Sequence, residues 1–152
     1  MQFSEATTRY WTEKDFKDVE NSRTVKDLFA VAERIIERMP KPFVQVCGPI
    51  TTGGLGSTEA NLKVFNETVI SLQNKGLNVF DQMPYESTMQ RLQDELVAKG
   101  DYLHNILTDF YFPLFNAGLI SAFYFIPGWE SSFGAKKEHE KAQELKIPIV
   151  YL

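Results

Sequence analysis

Ile126-Pro127-Gly128-Trp129-Glu130-Ser131-Ser132-Phe133-Gly134-Ala135-Lys136-Lys137-Glu138 decides the fold. An apolar run over residues 120–126 leads into it and ends at Pro127-Gly128. A Ser/Gly turn follows, then a polar stretch over 134–146, then a closing apolar run over 147–152. This order predicts strand, loop, helix, strand. The loop then sits at the carboxyl end of the first strand, and the helix points its amino terminus at whatever binds there. Unpaired N–H groups and the helix dipole make that spot attractive to a phosphate or carboxylate. On a helix starting near Gly134, spacings of three and four put Ala135, Glu138, Ala142 and Leu145 on the inward face. Glu138 is the odd member of that stripe, because a carboxylate is costly to bury without partners. Read from the residues alone, it is either a solvated first-turn acid favouring the dipole or a group aimed at a site.

Outward from this unit, the same alternation repeats. Residues 43–47 (Phe-Val-Gln-Val-Cys) read as a strand entering a glycine-rich loop over 48–57. A helix over 58–75 buries Leu62, Phe65, Val69 and Leu72 and stops at Gly76. Residues 77–81 form a second strand and 82–86 a loop with Pro84 and Tyr85. Ser87 with Gln90 makes a capping box for a helix to Lys99, ended by Gly100. A further helix runs over 101–116, with Pro113 disturbing its last turn. Upstream, Ser22 caps a helix to Met39 that places Val25, Leu28, Phe29, Ala32, Ile35, Ile36 and Met39 on one face. Residues 1–20 show no clean period and read as an arm. The fold class is α/β, a three-layer Rossmann-like sandwich with a four- to five-stranded parallel sheet. Residues 1–40 are an arm and helix, and 41–152 the sheet domain. Ligands in such sheets lie at the carboxyl ends of strands, where the loops 48–57, 81–86 and 127–134 converge.

The totals narrow the function. The chain has 152 residues, 43% hydrophobic and 24% charged, with a net charge of -4. That argues against a nucleic-acid polymer, which would want a basic face, but not against free nucleotides held by a local nest of N–H groups. One cysteine, Cys47, excludes an intrachain disulfide and a cysteine-rich metal site, and fits a reducing cytoplasm. The first sixteen residues have no signal-peptide core. The apolar window 110–126 contains Pro113, Asn116, Gly118 and Ser121 and falls short of the roughly 20 residues a membrane span needs. No membrane partner and no cofactor is expected.

The 48–57 loop is not a Walker loop, since no Gly-Lys-Ser/Thr ends it, and it lacks the third glycine of a dinucleotide fingerprint. His104 and His139 have no metal-ligand spacing with each other or with Cys47, so no metal site is expected. His139 reads as a surface or supporting residue. Ser132 lacks the Gly-x-Ser-x-Gly setting of a nucleophile. Its place before a helix start suits phosphate binding better. Asp109, late in its helix, is either an ordinary partly exposed acid or a group that swings toward the strand ends, and Asp81 has similar standing. Two carboxylates at one site suit N-glycosidic chemistry: one at the anomeric carbon, the other managing protons at the leaving base.

From about residue 43 to 152 the chain resembles the nucleoside 2-deoxyribosyltransferase superfamily. It is most similar to a branch of small relatives with a Leu-Pro-Gly-Trp-Glu-x-Ser-x-Gly-Ala motif, and it also resembles the 2'-deoxynucleoside 5'-monophosphate N-glycosidases. Three anchors carry this: Cys47-Gly48-Pro49-Ile50-Thr51, Asn61 with Phe65, and Pro127 to Glu138. The resemblance implies that Glu138 attacks the anomeric carbon to form a glycosyl-enzyme. It implies that Ser132 helps bind a 5'-phosphate and that the backbone of Gly48, Pro49, Ile50 and Thr51 borders sugar and phosphate. Asp109 is the nearest match to the aspartate that contacts the base or shares proton transfer. Asp81, from its place at the end of the second strand, joins Trp129 and Gly134 of the last anchor in the candidate substrate-binding set. It further implies a homodimer or higher homo-oligomer. Two residues depart from the pattern: Gln45 stands where a tyrosine is frequent, and Ser121 where an acidic residue often starts the third strand. The expected activity is hydrolysis of a (deoxy)nucleoside 5'-monophosphate or nucleoside. The alternatives are base transfer and a non-catalytic nucleotide-binding module. The phosphoribohydrolase loop, Pro-Gly-Gly-x-Gly-Thr-x-x-Glu, is similar but fits Trp129 and Ser131-Ser132 less well.

Overall fold

Phe43-Val44-Gln45-Val46-Cys47 is buried at every position. A strand covered on both faces has this character, and it is the mark of a parallel sheet flanked by helices. The computed structural model describes residues 1–99 and 104–152, the side chain of His104 excepted. In chain order it has α1 (Glu5–Thr8), α2 (Glu13–Glu20), α3 (Val25–Arg38), β1 (Phe43–Cys47), α4 (Thr58–Asn74), β2 (Val79–Phe80), α5 (Met83–Ala98) and α6 (His104–Ile106). A π-helical turn (Leu107–Tyr111), α7 (Phe112–Asn116), β3 (Ile120–Phe125), a 3₁₀ turn (Trp129–Ser131), α8 (Phe133–Glu144) and β4 (Ile149–Tyr151) complete it. The chain divides into two compact units: Met1–Pro40 with Gln82–Leu114, and Lys41–Asp81 with Phe115–Leu152.

The second unit holds the sheet. Its four strands are all parallel, in the order β2-β1-β3-β4. The β1–α4–β2 crossover steps one way across the sheet and β3–α8–β4 steps the other. With right-handed crossovers, that reversal sets α4 and α8 on opposite faces, giving the doubly wound, Rossmann-like three-layer arrangement. The topological switch point therefore lies between β1 and β3. There Cys47 pairs with Phe125, and the Ile126 N–H continues the ladder to the Cys47 carbonyl at 2.9 Å. Helix α4 opens on Ser57, whose hydroxyl accepts from the Ala60 N–H, and closes before Gly76 at φ +87°. Its inward face is Asn61, Phe65, Val69 and Leu72. Leu62, expected inside, is only half-buried, because Asn61 takes the inward place under the glycine loop.

The first unit is helical among its described residues and corrects four expectations. The stretch 1–20, read as an arm with no clean period, forms two short helices. Ser4 caps α1, and Thr12 with Asp15 forms a capping box on α2. Capping chemistry, rather than apolar period, sets these short helices. Helix α3 is capped by Thr24 with Asp27, not by Ser22. Ser22 is buried and donates back to the Asp18 carbonyl at 2.7 Å. Helix α5 begins at Met83, with Pro84 in its first turn and no side-chain cap. Proline's fixed φ and missing N–H suit that place, so the expected 82–86 loop is largely helix and Ser87 is exposed. The disturbance at Pro113 takes the form of a π-turn: the Phe112 N–H reaches back to the Leu107 carbonyl. The wider turn makes room where proline can neither donate nor fit an ordinary α-turn. The expected stop at Gly100 and the helix start at 101–103 lie outside the described residues. No helix among the described residues is long and apolar enough to cross a membrane.

Candidate active site

Glu138 stands on the inward stripe of α8 between Ala135 and Ala142, and all three are buried. Only 7% of Glu138 is exposed, which decides against a solvated surface acid. Its Oε2 accepts from the Cys47 thiol at 3.4 Å. Side chains alternate along β1, so Phe43, Gln45 and Cys47 share the face that meets α8. Burial first, and the Glu138 carboxylate second, push the Cys47 thiol well above its ordinary range. It is therefore a neutral S–H donor at neutral pH, not a thiolate. Glu138 thus sits at the carboxyl end of β1, at the switch point, where an open sheet places its ligands.

Two loops border it. The 48–57 loop leaves β1 beside Ile126, and a Cβ at Gly48 would lie 2.8 Å from the Ile126 side chain. Only glycine allows that approach. Asn61, reaching up from α4, organises the loop with three hydrogen bonds. Its amide donates to the carbonyls of Ile50 (3.0 Å) and Gly53 (3.1 Å), and its Oδ1 accepts from the Leu55 N–H (2.9 Å). The loop is latched in turn to the turn after β3. The Gly54 N–H donates to Ser131 Oγ at 2.8 Å, Ser131 Oγ donates to the Gly128 carbonyl at 2.6 Å, and the Phe133 N–H donates to Thr52 Oγ1 at 3.1 Å. Gly53, at φ +68°, lies so close to the Ser131 carbonyl that a Cβ would collide with it.

Ser132 is buried, and its hydroxyl caps α8 by accepting from the Ala135 N–H at 3.3 Å. With Thr52 on the Phe133 N–H, two first-turn donors of α8 already have partners. The Gly134 N–H has none among the described residues. Gly48 and Pro49 are buried, Ile50 is half-buried and Thr51 is exposed. Asp81 is buried one residue past Phe80, which pairs with Gln45. Trp129 stacks on His139 at 4.2 Å and 20°, above Phe125, while His139 Nε2 is hydrogen-bonded to the Tyr151 hydroxyl at 2.7 Å. His139 is thus a support for the turn rather than a ligand holder. Asp109 belongs to the first unit, on the π-turn. There it lines a cavity of about 330 Å³ with Arg23, Lys26, Glu95 and Lys99.

Of the two departures from the family pattern, Gln45 is fully buried on the face of β1 that carries Cys47. Ser121 hydrogen-bonds the Phe43 carbonyl at 3.3 Å, at the amino end of the strands. That is roughly 13 Å from Cys47 at 3.3 Å per strand residue. Residue spacing missed Asn61, Thr52 and Ser131 as the loop's latch. The available signal was an asparagine on the buried stripe of α4, one turn after a glycine loop. Compared with protein families, curated proteins and solved structures, the chain matches none of them.

Proposed function

We propose that this chain cleaves the N-glycosidic bond of a (deoxy)nucleoside 5'-monophosphate or nucleoside, with Glu138 as nucleophile. One observation carries the reading: a carboxylate buried at the switch point of a doubly wound sheet, beside a glycine loop that brings backbone close. The resemblance of residues 127–138 to the deoxyribosyltransferase superfamily supports the same assignment. In the first step a Glu138 oxygen bonds the anomeric carbon as the carbon–nitrogen bond breaks. The bonding pair leaves with the base, which takes up a proton. In the second, water attacks the anomeric carbon of the glycosyl ester and loses a proton, and Glu138 leaves as carboxylate. The proton role falls to Asp109 by sequence alone, and Asp109→Asn tests it. Hydrolysis and transfer differ only in whether water or a second base resolves the ester.

The test is incubation with a panel of nucleosides and their 5'-monophosphates, with free base followed by chromatography, with and without an added acceptor base. Wild type should release base, and Glu138→Gln should lose release by a factor on the order of 10³ or more with the fold intact. Turnover that survives this substitution would refute the assignment. The second reading is a non-catalytic nucleotide-binding module. It is favoured by the closed latch, in which Thr52 and Ser131 already occupy donors of the loop and of α8. Nucleotide binding without base release over long incubation would select it.

A further inference from the structure

We propose that Cys47 is a positioning residue for Glu138: its S–H donates a hydrogen bond to Oε2, which orients the carboxylate and favours its ionised, attacking form. The inference rests on the glycosidase reading for its consequence in turnover, but not for the interaction itself. Cys47 is the last residue of β1, a strand paired on both sides, and it has no exposed surface. Glu138 comes from the opposing face of α8, and the 3.4 Å separation of Sγ and Oε2 is within reach of a sulfur hydrogen bond. Its stripe neighbours on α8, Ala135 and Ala142, carry no polar group. A rigid central strand thus presents a donor to a group on the helix that packs against it.

The chemistry is suited to this task. A thiol is a weak donor, but toward an ionised carboxylate the bond is charge-assisted. Hydrogen bonding to the charged form of an acid favours that form. A nucleophilic glutamate must be ionised and held in one rotamer, so one oxygen fixed by the sheet leaves the group aimed rather than swinging. The thiol's burial also removes it from solution chemistry: it is a fixture, not a second nucleophile.

Cys47→Ala removes the donor at small cost in volume, whereas Cys47→Ser keeps a hydroxyl donor. With carbon-13-labelled glutamate, and the Glu138 signal assigned through Glu138→Gln, the carboxyl titration of wild type and both variants is followed by NMR. In the alanine variant the Glu138 midpoint should move to higher pH, and serine should restore it toward wild type. In parallel, kcat for base release should fall about tenfold in the alanine variant with KM little changed. The acid limb of the pH profile should move the same way as the titration, with recovery in serine. An unmoved Glu138 titration in a folded alanine variant overturns the proposal, as does equal loss in alanine and serine. Wild type that releases no base, yet shows the titration shift, overturns the glycosidase reading and leaves the Cys47–Glu138 interaction supported.

Discussion

At the scale of single residues, Asn61 shows how much of the site depends on one amide. It satisfies two carbonyls and one N–H of a loop that has no secondary structure of its own. An apolar residue there would suit the buried stripe of α4 better, yet it would strand those backbone groups. Asn61→Leu should therefore destabilise the protein by about 2 kcal/mol. Hydrogen exchange should show faster exchange at Gly54 and Leu55, with the α4 amides little changed. Wild-type protection at Leu55 in the variant would mean that the loop holds itself. Glu138 was legible because its spacing from Ala135 and Ala142 put it inside. Cys47, its partner, was not, because a residue 91 positions away leaves no mark on local period.

At the scale of elements, the start of α8 decides between two roles for Ser132. The serine is buried and accepts from the Ala135 N–H, which is the geometry of an N-cap. Ser132→Ala should cost about 1 kcal/mol in thermal or denaturant unfolding, and Ser132→Asn, a good cap, should recover most of it. If capping is its whole role, both variants keep the wild-type ratio of KM for monophosphate and nucleoside. A selective rise in KM for the monophosphate would give the hydroxyl a phosphate as well. The strands were legible as short apolar runs, and α8 as the polar stretch between two of them, with Ala135, Glu138 and Ala142 on one stripe. The starts of α3 and α5 were not. Ser22 and Thr24 are both competent caps, and only Asp27 completes a box with the second. At α5 an inviting Ser-x-x-Gln pattern lost to a helix already begun at Met83 around Pro84.

At the scale of the whole molecule, each compact unit carries one of the two tryptophans. In the first unit Trp11 stacks on Phe16 at 4.7 Å and leans on Tyr85. Beside it α2 is clamped to α3 through Asp15, which accepts from Arg34 at 2.9 Å and Arg38 at 2.6 Å. Burial, the largest single influence, pushes the Asp15 carboxyl up. It is outweighed by hydrogen bonds from Arg38, Thr12 and Arg34 together, and the net is well below the ordinary carboxylate range. A lowered folded-state value means stability that is complete above the ordinary 3.8 and is lost as pH falls from there through the folded value. In a Trp129→Phe background, Trp11 emission should therefore report loosening of the first unit on acidification below about pH 4. Asp15→Asn should cost about 2 kcal/mol at neutral pH and flatten that acid dependence. An unchanged acid dependence would place the lost stability elsewhere.

Local residue order already encodes the alternation of strands and helices, the parallel sheet, the glycine loop after β1 and the inward place of Glu138. Each is written in a short-range period or in a turn residue whose backbone needs are local. What Glu138 touches, what closes the glycine loop and what holds the first helices depend on contacts that exist only once the chain has folded. The Cys47 thiol, the Asn61 amide with the Thr52 and Ser131 hydroxyls, and the Asp15–Arg34–Arg38 clamp join groups from different elements. Polar and ionic partners are chosen by proximity after the backbone has folded. A one-dimensional pattern can therefore show that a buried polar group needs a partner, but not which residue supplies it.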